Sequence, residues 1–262
     1  MREGPWIALS LVLLGACVAV ARAARAEGSC SDTLVPNRPG ATDASGTVGA
    51  GCFELESSVA FERTSAALSA AFPEVVRVGL ASMVELGFEY DVVGLTSPDG
   101  GDLVASPAGS AFTLKINAIE ADERRPGFGA EASVGVPGEG TSAGTVEPRL
   151  ALLFDWSFVE HWSASLDAIW TLPALEGDGP RSQALGLAAV LGYSPPVPGD
   201  WLNVYVDTSG AAPLRAGRWD QTVGAGAAFL VRPNVQLDAS FSVVATGDEH
   251  AVQFGPGFAW QL

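Results

Sequence analysis

Positive charge is scarce in this sequence. Fourteen Lys and Arg stand against 30 Asp and Glu, a formal net charge of −16 at pH 7. Binding to a nucleic-acid backbone needs clustered Lys and Arg, so nucleic acid is excluded as a partner. Histidine is scarcer still, with only His161 and His250, and the cysteines are Cys17, Cys30 and Cys52. No Cys/His cluster has metal-ligand spacing, which leaves zinc chemistry without ligands, and no cofactor is expected. Segments with helical patterning that could cover a sheet are also missing. The apolar run Trp6 to Val20 is shorter than the ~20 residues a helical membrane span needs.

That run has a different use. Arg2 and a short polar lead precede it, and Ala21, Ala23, Ala24 and Ala26 follow. This is the pattern of a secretory signal cleaved after Ala24-Arg25-Ala26, so residues 1–26 are expected to be a signal peptide. Leu14-Gly15-Ala16-Cys17 offers a second reading as a lipoprotein site with Cys17 acylated. Either route exports the chain. Cleavage at Ala26 leaves Cys30 and Cys52, an even number in an oxidising compartment. A Cys30–Cys52 disulfide would tie the Gly/Pro/Ser/Thr-rich tail, residues 27–51, to the start of the first strand. The other reading is two unpaired thiols.

What the chain has in abundance is two-residue alternation, the period of a strand with two unlike faces. The final segment sets Val252, Phe254, Pro256, Phe258, Trp260 and Leu262 on one face and Gln253, Gly255, Gly257, Ala259 and Gln261 on the other. The same pattern divides the rest into Cys52 to Glu62, Phe72 to Leu80, Met83 to Tyr90, Phe112 to Glu120, Phe128 to Val136, Arg149 to Trp156 and Trp162 to Leu172. Gln183 to Tyr193, Trp201 to Asp207, Trp219 to Val231 and Val235 to Val243 follow, with Ala251 to Leu262 as the twelfth strand.

An apolar last strand with no polar tail would be an open edge in a soluble domain, and open edges recruit other chains. Pairing it with Phe53 to Phe61 removes the edge and turns the apolar face to lipid. The expected fold is therefore all-β, a transmembrane antiparallel up-and-down β-barrel of about 12 strands over residues 52–262. Connections of alternating character support it. Ala81-Ser82, Ser157 to His161, Ser194 to Asp200 and Arg232 to Asn234 would lie on one rim. Asp91 to Gly109, Pro137 to Thr145, Pro173 to Arg181, Ser209 to Gly217 and Ala245 to His250 would be the longer loops of the other, as in bacterial outer-membrane barrels. A periplasmic β-sandwich, burying its apolar faces together, uses the same alternation.

In the barrel reading the polar alternate set faces the lumen. Its members are Glu54, Glu56, Glu85, Glu89, Lys115, Asn117, Glu131, Asp155, Asp167, Asn203, Asp207 and Asp238. Lining a hydrated path, such carboxylates would favour cations or neutral solutes over anions. The tail would lie in the lumen and gate it, or in the periplasm. His161-Trp162-Ser163 invites comparison with outer-membrane lipases, which need a His to activate a Ser. Neighbouring strand residues alternate faces, however, and the site would sit on the periplasmic rim. No catalytic residue is assigned.

Several segments also resemble a known family. Asn37-Arg38-Pro39-Gly40, Asp43 to Gly49, Glu54-Leu55-Glu56, Pro73 to Leu80 and Val84-Glu85-Leu86 are similar to the opening of the outer-membrane transporters of the phenol-degradation MetA pathway. Ser157 to Trp162, Leu230 to Asp238 and Gly255 to Trp260 resemble later parts. Val78 replaces an aromatic residue and Leu262 a terminal Phe of the family pattern, and Cys30 and Cys52 lie outside it. The resemblance implies an outer-membrane channel passing small solutes, aromatic or hydrophobic compounds among them.

The partners expected are the lipid bilayer and lipopolysaccharide of a Gram-negative outer membrane, the outer-membrane assembly machinery and a small-molecule solute, with the protein a monomer. A non-conducting barrel of structural or surface-interaction role, or a secreted periplasmic binding protein, are the other functions these residues allow.

Overall fold

The computed structural model describes residues 30, 34–38, 40–99, 101–106, 109–122, 125–136, 146–172, 183–199, 201–214 and 219–262. The expected signal peptide lies outside them, as do residues 27–29, 31–33 and 39 of the tail, the expected loops Pro137 to Thr145 and Pro173 to Arg181, and parts of Asp91 to Gly109 and Ser209 to Gly217. The described residues form β1 (Phe53–Ser58), β2 (Ala60–Arg63), β3 (Ala67–Ala81), β4 (Val84–Pro98), β5 (Val104–Ser106), β6 (Ser110–Ile119) and β7 (Gly127–Val136). The series continues with β8 (Glu147–Val159), β9 (Trp162–Thr171), β10 (Ala184–Tyr193), β11 (Leu202–Pro213), β12 (Asp220–Arg232), β13 (Val235–Thr246) and β14 (Glu249–Gln261).

These make one antiparallel sheet in which β1 pairs with β14, so the sheet closes on itself. β1 and β2 are one wall strand with a break at Val59, and β5 is a short addition to β4. The result is a closed barrel of 12 strands.

The break has a local cause. Ser57 pairs with Glu74 on one side and Ser58 with Gly257 on the other, which puts Pro73 and Pro256 beside Ser58 and Val59. Proline has no N–H to give to a ladder. Pairing resumes at Ala60, opposite Ala71.

Alternation then sorts the wall into two faces. Leu152 of β8 stands opposite Ala130 of β7 and Ala168 of β9 on the outer face, while its neighbour Leu153 stands opposite Gly129 and Asp167 on the inner one. The outer face stays apolar and uncovered, with Leu152 66% exposed and Ile116, Leu187, Val223 and Phe254 exposed as well.

The rims differ from expectation at the expected loops Asp91 to Gly109 and Ser209 to Gly217, much of which is strand in β4, β5 and β11, and at the last connection. Ala245 to His250, expected as a long loop, is a tight hairpin in which Thr246 pairs with Glu249 and Gly247 takes a positive φ. The strands also run on past the predicted ends. Ala67 pairs with Pro98, carrying the β3–β4 hairpin beyond the Phe72 and Tyr90 limits set by the apolar pattern. Hairpins that leave the apolar zone keep their ladder, because backbone pairing does not require an apolar side chain.

Candidate functional site

The described residues preceding β1, from 34 on, do not hang off the barrel; they lie in its lumen. Cys30 and Cys52 are joined by a disulfide with Cα atoms 5.2 Å apart, so the segment between them is a covalently closed loop. The Cys52 end is built into the wall. Gly51 donates its N–H to the Gly79 carbonyl at 2.8 Å, and Gly79 donates to the Cys52 carbonyl at 3.0 Å.

From there the loop is held by its own backbone. Val48 donates its N–H to Glu85 at 2.9 Å, Asn37 to Glu56 at 3.1 Å and Asp43 to Asp167 at 2.8 Å, and Ser45 donates to Asp155. Four inward carboxylates from four strands thus accept four N–H groups of a segment with no ladder of its own. A segment without regular structure needs such acceptors, since its backbone N–H groups cannot be buried unpaired.

Side chains complete the seat. The Arg77 guanidinium lies between Glu85 at 2.7 Å, Glu54 at 2.7 Å and Glu56 at 3.3 Å, and it also donates to the Val35 carbonyl. Lys115 sits 3.6 Å from Glu85 and 3.7 Å from Glu131 and donates to the Asn37 amide oxygen at 2.8 Å. Arg149 joins Glu131 to Asp43, and Arg38 reaches Asp238 at 3.1 Å. Gln236 and Gln261 donate to the carbonyls of Arg38 and Val48.

The strand pairings place all twelve residues singled out as lumen-facing on the inner face. Glu54, Glu56, Glu85 and Lys115 are nevertheless only 0–2% exposed, because the loop and Arg77 cover them. They border a dry contact, whereas the sequence pointed to a hydrated one. Glu89 accepts from Thr113, and Asn203 donates to Ser194 at the short-turn rim. Asp207 lies against the turn at Gly40.

Sequence reasoning left out Arg77, Arg149, Arg38 and Asp43. A signal for Arg77 existed: it is a basic residue at an inward alternate position, in a chain with few basic residues and many inward carboxylates. Nothing local marked Asp43 or Arg38 as lumen groups.

A cavity of roughly 220 Å³ lies between the loop and the wall toward the short-turn rim, lined in part by Asn37, Arg38, Ser163, Asn203 and Tyr205. Gly40 packs against Val190 and Tyr205, two of the wall residues that line it. His161 occupies the β8–β9 turn and packs edge-on to Tyr193. Among the described residues no group of three His, Cys, Asp or Glu side chains could hold a metal ion.

A closed antiparallel barrel with an apolar exterior and a polar interior is the architecture of transmembrane β-barrels. The chain belongs to the family described as "Putative MetA-pathway of phenol degradation", which it matches over residues 36–262. Among solved structures it is similar to the COG4313 outer membrane channel from Pseudomonas putida F1, with 12% identity over 87% of this chain and 100% of that one, at a TM-score of 0.61. The NanC porin is similar at 10% identity, 79% and 100% coverage and a TM-score of 0.58, and the KdgM porin at 10%, 78% and 98%, and 0.53. No curated protein matches the sequence.

Proposed function

We propose that this protein is an outer-membrane channel of a Gram-negative bacterium, exported by residues 1–26 and passing small solutes without chemical change. The observation that carries the reading is the closed barrel with opposite faces: exposed Leu, Ile, Val and Phe outside, and carboxylates, amides and hydroxyls inside. Such a wall satisfies its backbone hydrogen bonds in lipid and keeps a polar interior. A family description that names phenol degradation supports counting aromatic compounds among those solutes.

On this reading the cystine-closed loop acts as a gate, since solutes must pass a segment bonded to strands around the lumen. That same occupancy favours a second reading, a non-conducting barrel with a structural or surface role.

Planar-bilayer recording of purified protein separates the two. The channel reading expects discrete conductance steps, increased when residues 34–51 are deleted. Folded, inserted protein that stays silent in both forms would support the structural barrel.

A further inference from the structure

The lumen loop is not held uniformly, and the difference assigns the gate. The legs of the loop meet at Asn37, whose amide oxygen accepts the Ala44 N–H at 3.3 Å while also accepting from Lys115. On one side of this bridge lies the foot, Val35 and Thr47 to Cys52, closed by the disulfide. On the other lies the arch, Arg38 and Gly40 to Asp43, which spans the lumen.

The foot is dry. Val48 and Cys52 are fully buried, and the charged groups that hold the foot and the bridge, Arg77, Glu54, Glu56, Glu85 and Lys115, are 0–2% exposed. Removing a partner from such a site leaves an uncompensated charge out of water. The arch is less enclosed. Arg38, Asp43 and Arg149, which binds Asp43, are 23–26% exposed and Gly40 is exposed, although the wall carboxylates that hold the arch, Asp167 and Asp238, are themselves buried. Ion pairs in reach of water are screened and readily exchanged for hydration. Covalent closure adds to the contrast, because a loop fixed at both ends cannot leave the lumen as a free tail.

We propose that the gate of this channel is the arch, Arg38 with Gly40–Asp43, hinging at the Asn37–Ala44 bridge on a foot that stays in place, with Asp167, Asp238 and Arg149 as its latch. Opening breaks the Asp43 N–H bond to Asp167, the Arg149–Asp43 pair and the Arg38–Asp238 pair, and moves the Gly40 turn off Val190 and Tyr205. The cavity beside Asn203 then joins the rest of the lumen. Gly40, with φ +128°, supplies a backbone conformation in the arch that other residues rarely adopt. This rests on the channel reading for its purpose, but the hinge can be tested without conductance.

Hydrogen exchange on folded protein in detergent should show the Asp43 amide exchanging at least about tenfold faster than those of Val48 and Gly51, since local opening exposes the arch alone. Equal protection across the loop would overturn the hinge. In bilayers, Arg38→Ala with Asp43→Ala, both on the loop and outside the barrel wall, should raise the frequency of opening several-fold while leaving the step size small. A dithiol such as dithiothreitol reduces the cystine to two thiols and is itself oxidised to its cyclic disulfide. It should add a second, larger step as the foot is freed, and Cys30→Ser should show that step without reductant. Unchanged opening in the double variant, beside steady conductance when residues 34–51 are deleted, would overturn the gate and leave the channel standing. Silence of the deletion variant would overturn the channel reading itself, and the gate with it.

Discussion

A Cβ atom placed on Gly79 would lie 1.6 Å from the carbonyl oxygen of Gly49. Wall strand and lumen loop meet there backbone to backbone, through the bonds that Gly79 makes with Gly51 and Cys52. Gly79→Ala cannot keep that contact. The atom it meets is main chain, which cannot rotate away as a flexible side chain would. We expect the foot to lift, with a loss of about 1–3 kcal/mol in stability and faster protease cleavage between residues 34 and 51. Comparing denaturant midpoints and digestion rates with the native protein checks this.

Arg77 serves three carboxylates. Arg77→Met keeps most of the side-chain volume and leaves Glu54, Glu56 and Glu85 crowded with only Lys115 near one of them. Breaking a buried ion pair from one side costs about 3–5 kcal/mol. The temperature at which the folded band shifts on unboiled gels should fall clearly. Arg77→Met combined with Glu54→Gln and Glu56→Gln should recover part of the loss.

The three glutamates around Arg77 provide a test of what borders the solute path. In a wet lumen, Glu54→Gln, Glu56→Gln and Glu85→Gln together would weaken cation preference. Enclosed as they are, they should leave the reversal potential across a salt gradient nearly unchanged and instead add the larger step of a loosened foot, because Glu56 and Glu85 accept the N–H groups of Asn37 and Val48. Bilayer recordings of the triple variant decide between the two.

Leu152 tests the outer face. It projects from β8 with Ala130 and Ala168 as neighbours on either side. If that surface meets lipid, Leu152→Arg should destabilise the barrel by about 2–4 kcal/mol if it sits near the bilayer midplane, and less toward an interface. Folding titrations in phospholipid vesicles measure this. A neutral outcome would remove Leu152 from the lipid-facing band.

Mature protein isolated without reductant should weigh two hydrogens less than its reduced form, from the Cys30–Cys52 bond. Its first residue should be Glu27. A lipid-modified Cys17 found by mass spectrometry would instead establish the lipoprotein route.

The period-two pattern made the barrel legible because it is a local property. Each strand states its own two faces, and neighbouring strands agree when polar meets polar, as Glu85, Lys115 and Glu131 do across β4, β6 and β7. Short turns were legible for the same reason. The hairpin at Thr246 and Glu249 was not, because Gly, Asp and His in that stretch suit a two-residue turn and a longer loop alike, and only the pairing of β13 with β14 tells them apart.

What no local pattern carries is the environment of an inward side chain. Alternation assigns Glu54 to the lumen, but whether it meets water or Arg77 depends on what else enters that space. Asp43 finds Asp167 across 124 positions of sequence, and Arg38 finds Asp238 across 200. Those partners come together only after twelve strands have closed and a loop without regular structure has entered between them. The chain's alternation and turns are enough to specify a barrel with an acidic interior, because side-chain direction along a strand needs only near neighbours. Closure of the sheet is what makes that interior a seat for the residues before the first strand, because buried N–H groups and buried carboxylates must be satisfied together in one space.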